Sequence, residues 1–246
     1  MKIYAIAAAA IGLSAGMALA EAHTQTLRLG TEGAYPPYNF INDAGEVDGF
    51  ERELGDALCA QAELTCEWVT NEWDSIIPNL VSGNYDTILA GMSITDERDE
   101  VIDFTQPYFP PDPSVFVAMS DDLDLSSAVI AAQTGTIQAS HVAEMEGATL
   151  VEFATPDETV AAVRNGEADA ALADKAFLAP IAEQDATLMM IGEDVMLGDG
   201  IGVGLRESDT ELKDKLDAAI DALKADGSLN EMIKKWFGED AATFEM

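Results

Sequence analysis

Two twelve-residue stretches, LVSGNYDTILAG (80–91) and VRNGEADAALAD (163–174), align without a gap. In each, a helical pattern stops at a glycine (Gly83, Gly166), an aspartate follows (Asp86, Asp169), and a short apolar run ends at Gly91 or at Asp174. A glycine just past a helix supplies the left-handed residue that ends it. The recurrence predicts two similar lobes, each ending this strand at a comparable spot.

The flanking patterns agree. Thr26–Leu29 alternates as a strand, and residues 50–61 carry helical spacing in Phe50, Leu54, Ala57 and Leu58. Strands are predicted over 67–70 and 85–90, with a helix over 73–81 between them. Residues 126–174 repeat the logic: a strand over 128–132, a helix opened by Gly135 and Thr136, a strand over 149–153, and a helix ending at Asn165. That last helix starts with Thr155-Pro156-Asp157-Glu158, which combines an N-cap, a proline at the first helical position and a capping-box acid. SDTE (208–211) and SLNE (228–231) read as further capping boxes, opening two helices that close the fold. The order β-α-β-α makes the chain an α/β protein whose lobes each hold a mostly parallel sheet flanked by helices. Proline-rich PYFPPDPS (107–114) and glycine-rich LGDGIGVG (197–204) read as two linkers, so the chain leaves the first lobe and returns to it. Lobe 1 is then 21–110 with 202–246, lobe 2 is 115–198, and hinges lie near 111–114 and 199–201.

The first twenty residues, MKIYAIAAAAIGLSAGMALA, have one cation (Lys2), a short apolar centre and an Ala18-Leu19-Ala20 ending. They read as a cleaved secretory signal, which makes the mature chain exported. An exported chain with a close cysteine pair, Cys59 and Cys66, suggests a disulfide. With 12 basic against 46 acidic residues, the net charge of −34 repels nucleic acid and anionic lipid and favours cationic small ligands. His23 and His141 do not form a spaced ligand set with the cysteines, so no metal or cofactor is expected.

Open α/β sheets bind ligands beyond the carboxyl ends of their strands, which marks 91–93 and 174. In GMSITDER (91–98), Gly91 lets backbone approach a ligand, Ser93 supplies a hydroxyl and an N–H, and Arg98 brings a donor fork that matches a carboxylate. In QTGTIQ (133–138), Gly135 and Thr136 sit at a strand-to-helix turn whose N–H groups favour anions. Asp174 is an acceptor-only group suited to an ammonium. Together these groups fit an α-amino acid backbone held from both lobes. Nothing in the chain pairs a serine or cysteine with a histidine base, so an enzyme is not expected.

The set TEGAYPPYNF (31–40), DGFERELGDALC (48–59), NEWDSIIPNLVSGNYD (71–86), MSITDER (92–98), the Gly135-Thr136 turn, DAALAD (169–174), IGVGLR (201–206) and DGSLNEMIKKWFG (226–238) carries a family resemblance. In that order it resembles the periplasmic solute-binding proteins of polar amino-acid ABC transporters, family 3, most of all the lysine/arginine/ornithine- and histidine-binding group. The resemblance implies a two-lobed fold with two hinge strands, a monomer that closes over an amino acid in the periplasm and delivers it to a membrane permease. It places Arg98, Ser93 and Thr136 on the α-carboxylate, and the Ala90/Gly91 backbone with Asp174 on the α-amino group. It places Tyr35 and Trp73 around the ligand side chain, and it matches Cys59–Cys66 to a disulfide of that group.

Side-chain preference then rests on Glu32, with Glu51 as a helper. A carboxylate beyond two aromatic faces suits Lys, Arg, ornithine or His. The sequence departs from the family at Ile137, where a second polar residue is common, and at Ala90, where related basic-amino-acid binders can have serine. Three alternatives stand beside this reading: a neutral polar ligand such as glutamine, an opine of the octopine or nopaline type, and a cyclohexadienyl dehydratase-like enzyme using Glu32 or Asp174.

Overall fold

A computed structural model describes residues 26–245 of the chain, and the signal expected over 1–20 lies outside them. The chain begins with β1 (Leu27–Thr31), three short strands β2 (Ala34–Tyr35), β3 (Asn39–Ile41) and β4 (Val47–Asp48), then α1 (Phe50–Gln61) and β5 (Cys66–Thr70). A single 3-10 turn at Trp73–Ser75 leads into α2 (Ile76–Val81), followed by β6 (Thr87–Ile88), α3 (Asp96–Asp99) and β7 (Asp103–Phe104). The chain then crosses to β8 (Pro113–Ala118), β9 (Val129–Gln133), α4 (Ile137–Glu144), β10 (Thr149–Phe153), α5 (Pro156–Asn165), β11 (Ala170–Asp174), α6 (Lys175–Gln184) and β12 (Met189–Met196). It returns through β13 (Gly204–Leu205) to α7 (Thr210–Ala225) and α8 (Ser228–Phe237).

Each lobe is built on a five-stranded sheet, ordered β5-β1-β6-β13-β7 in the first and β10-β9-β11-β8-β12 in the second. The two orders are the same diagram. In each, three parallel strands come first, the earliest of them (β1 or β9) lying between the other two, and one reversed strand follows. Four of five strands run one way; the reversed ones, β13 and β8, are those that carry the chain across from the other lobe. β6 and β11 occupy the same place in their sheets, and these are the strands that the aligned stretches share.

The matched aspartates do one job twice. Asp86 N–H donates to the Arg28 carbonyl (2.9 Å) while its carboxylate accepts the Arg28 N–H (3.0 Å). Asp169 N–H donates to the Val129 carbonyl (2.7 Å) and its carboxylate accepts the Val129 N–H (2.8 Å). Each aspartate thus clips the start of one parallel strand onto its neighbour, β6 onto β1 and β11 onto β9. Gly83 (φ 79°) and Gly166 (φ 74°) take the left-handed conformation that ends α2 and α5.

The Thr155–Glu158 capping box forms as predicted, with both reciprocal bonds present. The other two do not. Asp209 precedes α7 and the Ser208 hydroxyl turns to its carboxylate (3.1 Å). Gly227, in the left-handed conformation, precedes α8, which puts Ser228 inside the helix, its hydroxyl on Asp226 (2.6 Å). Cys59 and Cys66 are joined, tying the end of α1 to the start of β5. One apolar core runs from Leu54, Leu58, Ile220 and Ile233 through Tyr108 and Phe109 to Val115, Val117 and Phe177 of the second lobe. Among the described residues no helix is long and apolar enough to cross a membrane.

Candidate functional site

Four strand ends meet between the lobes. β1 runs out at Glu32, β6 at Ala90 and Gly91, β9 at Gln133 and β11 at Asp174, and all of these line one cavity. Its empty space, counting the open mouth, is about 460 Å³. The structure brings Glu32, Tyr35, Trp73, Ala90, Gly91, Ser93, Arg98, Thr136 and Asp174 together around it.

Arg98 stands on α3, which Thr95 caps through the Arg98 N–H (3.3 Å). Its guanidinium donates to the Ser93 carbonyl (2.8 Å) and across the cleft to the Gly135 carbonyl (3.3 Å), and lies 5.4 Å from the Trp73 ring centroid. Among the described residues no carboxylate comes within ion-pair distance of it. Burial pushes its pKa down to about 10, with Asp174 pulling the other way. A half-buried guanidinium without an anion is a receptor for one.

Asp174 is the complementary case. Tyr35 Oη donates to its Oδ2 (2.8 Å), and Gln138 Nε2 (2.8 Å) and Ser114 Oγ (3.5 Å) donate to its Oδ1. Burial lifts its carboxyl to about 7; Asp112 adds to that, and the Tyr35 and Ser114 bonds oppose it. Among the described residues no cation pairs with it. Glu32 is also lifted to about 7 by burial, against the opposing bond from Gln133 Nε2 (2.6 Å). The site therefore offers one unmet cation and two unmet carboxyls, with the lobes bridged by Tyr35–Asp174, Gln133–Glu32 and Arg98–Gly135.

Several roles differ in detail from those the sequence suggests. The Thr136 hydroxyl is occupied as the N-cap of α4, accepting from Ala139 N–H (3.1 Å) and donating to the Gln133 carbonyl (2.7 Å), so the amino end of α4 is what remains for an anion. The Tyr35 ring stacks on Phe177 (4.7 Å) and Tyr38 (5.7 Å), and Trp73 faces Arg98, so both aromatics are already engaged by protein groups. Glu51, expected as a second carboxylate for the ligand's side chain, does not line the cavity. It is fully buried in lobe 1 and accepts from Asn39 Nδ2 (2.7 Å), Gly91 N–H (2.7 Å) and Tyr108 Oη. Tyr38 is buried and Phe40 packs on Trp236 beneath the loop.

Gln133, Gln138 and Ser114 escaped the sequence reading. The two glutamines flank the Gly135-Thr136 turn in QTGTIQ, one at a strand end and one in the first helical turn, which is the signal that could have found them. Ser114 has none: it reaches Asp174 because the reversed strand β8 pairs with β11 in the register Ser114↔Asp174.

Residues 27–239 match the family of bacterial extracellular solute-binding proteins, family 3. The L-arginine-binding protein of Pseudomonas aeruginosa is 32% identical over 231 residues, covering 87% of this chain and 88% of the relative. The lysine/arginine/ornithine-binding periplasmic protein of Escherichia coli is 29% identical over 242 residues, covering 92% and 93%. A crystal structure of a periplasmic His/Glu/Gln/Arg/opine family-binding protein from Silicibacter pomeroyi in complex with lysine superposes with a TM-score of 0.87 at 72% identity, covering 89% of this chain and all of that one. The shared sheet diagram, the cavity between the lobes and the match over nearly the whole described chain agree: this protein belongs to the bacterial extracellular solute-binding proteins, family 3.

Proposed function

We propose that this chain captures an amino acid with a cationic side chain (arginine, lysine, ornithine or histidine) and delivers it to the permease of an ABC importer. The observation that carries the reading is the pairing of an unmatched guanidinium, Arg98 of lobe 1, with an unmatched carboxylate, Asp174 of lobe 2, in one cavity. A free α-carboxylate and α-ammonium complete both. Glu32 meets the side-chain cation. Relatives named for arginine and for lysine, arginine and ornithine, and a close structure holding lysine, support the choice.

The lobes are taken as 21–110 with 202–246 and 115–198, moving on the crossings near 111–114 and 199–201. Closure over ligand is the step that a permease would sense. The protein works as an exported monomer in the periplasm after loss of residues 1–20, and it is a binder rather than an enzyme. An opine would bring an extra carboxylate. The neighbouring cavity, which shares Glu32 and Trp73 with the site, is lined by Glu72 and Asp74 and by no lysine or arginine, which disfavours that reading.

A thermal-shift panel of the common amino acids, with octopine and nopaline as competitors, tests this. The basic amino acids should raise the midpoint most. A panel in which no amino acid moves it removes the ligand class, and turnover of prephenate or arogenate would replace the reading by the dehydratase one.

A further inference from the structure

Glu51 is the second residue of α1 and has no exposed surface. No arginine or lysine pairs with it among the described residues. Its two oxygens instead collect three donors from three separate segments. Oε1 accepts the Gly91 N–H (2.7 Å), from the turn after β6, and the Tyr108 hydroxyl, from the first crossing to lobe 2. Oε2 accepts Asn39 Nδ2 (2.7 Å), whose own carbonyl accepts the Gly33 N–H (2.7 Å) in the loop that carries Glu32 and Tyr35. Tyr108 N–H in turn bonds the Ile201 carbonyl (2.8 Å) of the second crossing.

The Gly91 contact has a geometric consequence. In a trans peptide the carbonyl of one residue and the N–H of the next point in opposite directions. With the Gly91 N–H held inward by Glu51, the Ala90 carbonyl of the same peptide is turned away from Glu51, and Ala90 lines the cavity. Gly91 has φ 62°, in the left-handed region that favours glycine, and a Cβ there would come 3.3 Å from Tyr35 Cδ1, so a side chain at this position would press on the ring. We propose that Glu51 is a positioning residue for ligand capture: without touching the ligand, it fixes the Ala90–Gly91 peptide so that the Ala90 carbonyl accepts from the ligand's ammonium beside Asp174. This rests on the amino-acid reading of the site.

The role separates from a merely structural one by which ligand group loses its partner. Titration calorimetry would compare L-arginine with 5-guanidinopentanoate, which is arginine without its α-amino group, on the wild-type protein and on Glu51→Gln. The glutamine keeps the volume but replaces one acceptor oxygen by an N–H₂ donor, so at least one of the three donors loses its acceptor and the hold on the peptide weakens. The wild-type preference for arginine over the deamino compound should shrink by about tenfold or more in the variant, the scale of a hydrogen bond to a charged group. The Gly91 amide proton resonance should move upfield. Equal weakening of both ligands, or an unchanged preference, would overturn the proposal. If Glu51→Gln does not fold, Glu51→Asp keeps the charge but draws the carboxylate back from the Gly91 N–H; it should show the same selective loss, and an unchanged preference there overturns the proposal equally. Failure of the wild-type protein to bind any amino acid would instead remove the site reading, and the positioning role with it.

Discussion

Arg98 holds a half-buried charge and Asp174 a buried carboxyl, and among the described residues neither has an ion-pair partner. Arg98→Ala should therefore abolish measurable binding of every amino acid, because the ligand carboxylate loses its only guanidinium; retained affinity in calorimetry would show that the amino end of α4 suffices. Glu32→Gln should weaken arginine and lysine by about tenfold or more while leaving glutamine nearly unchanged, and equal losses would remove Glu32 from the specificity. Ionisation adds a pH signature. Empty, Asp174 and Glu32 both hold their protons up to about 7, against ordinary values of 3.8 and 4.5. A carboxyl raised on folding stabilises the empty protein fully below its unfolded value, and that contribution is lost as pH rises through about 7. A cationic ligand favours the ionised forms, so the midpoint shift caused by arginine should grow from pH 5 to pH 8. A shift independent of pH would place the cation elsewhere. At this scale the charged residues were legible, because Arg98 and Asp174 announce their chemistry. Gln138 and Ser114, which orient Asp174, were not, since their roles depend on a strand pairing no local pattern records.

At the scale of elements, the matched aspartates give a test of the internal repeat. Asp169→Ala removes the clip on Val129 and should cost about 1 kcal/mol. Asp86 also accepts from the Arg28 and Arg206 side chains, whose bonds hold its carboxyl low despite burial. Asp86→Ala should thus cost more, about 2–3 kcal/mol, and urea unfolding showing the reverse order would separate the two sites. Thr155→Ala should cost about 1 kcal/mol by loss of its cap. Elements whose signals are local, such as that cap and the glycine stops, were readable in the sequence. SDTE and SLNE misled because the same letters fit a helix that starts one residue later, as α7 does at Thr210, or one residue earlier, as α8 does at Ser228. The small β2-β3-β4 sheet and the reversed strands were invisible, since a two-residue strand carries no periodicity and strand direction follows the path between lobes.

Across the whole molecule, a ligand that binds only the folded form at 100 times its Kd stabilises by about 2.7 kcal/mol. The charge of −34 should act on rates: association of arginine should slow with rising ionic strength more steeply than that of glutamine, as stopped-flow fluorescence would report. Equal slopes would confine the charge to solvation. The reversed strand β13 carries one more consequence, for the order of events during synthesis. It lies between β6 and β7 in the first sheet, yet it is made after all of lobe 2. β8 and β12 are neighbours, with Pro113 opposite Met196, so lobe 2 is continuous in the chain and complete once residue 196 has emerged. Lobe 1, although begun first, still lacks its fourth strand and both closing helices at that moment. The emerging chain would finish its second half before its first, leaving the flank of β6 open until Gly204 and Leu205 arrive.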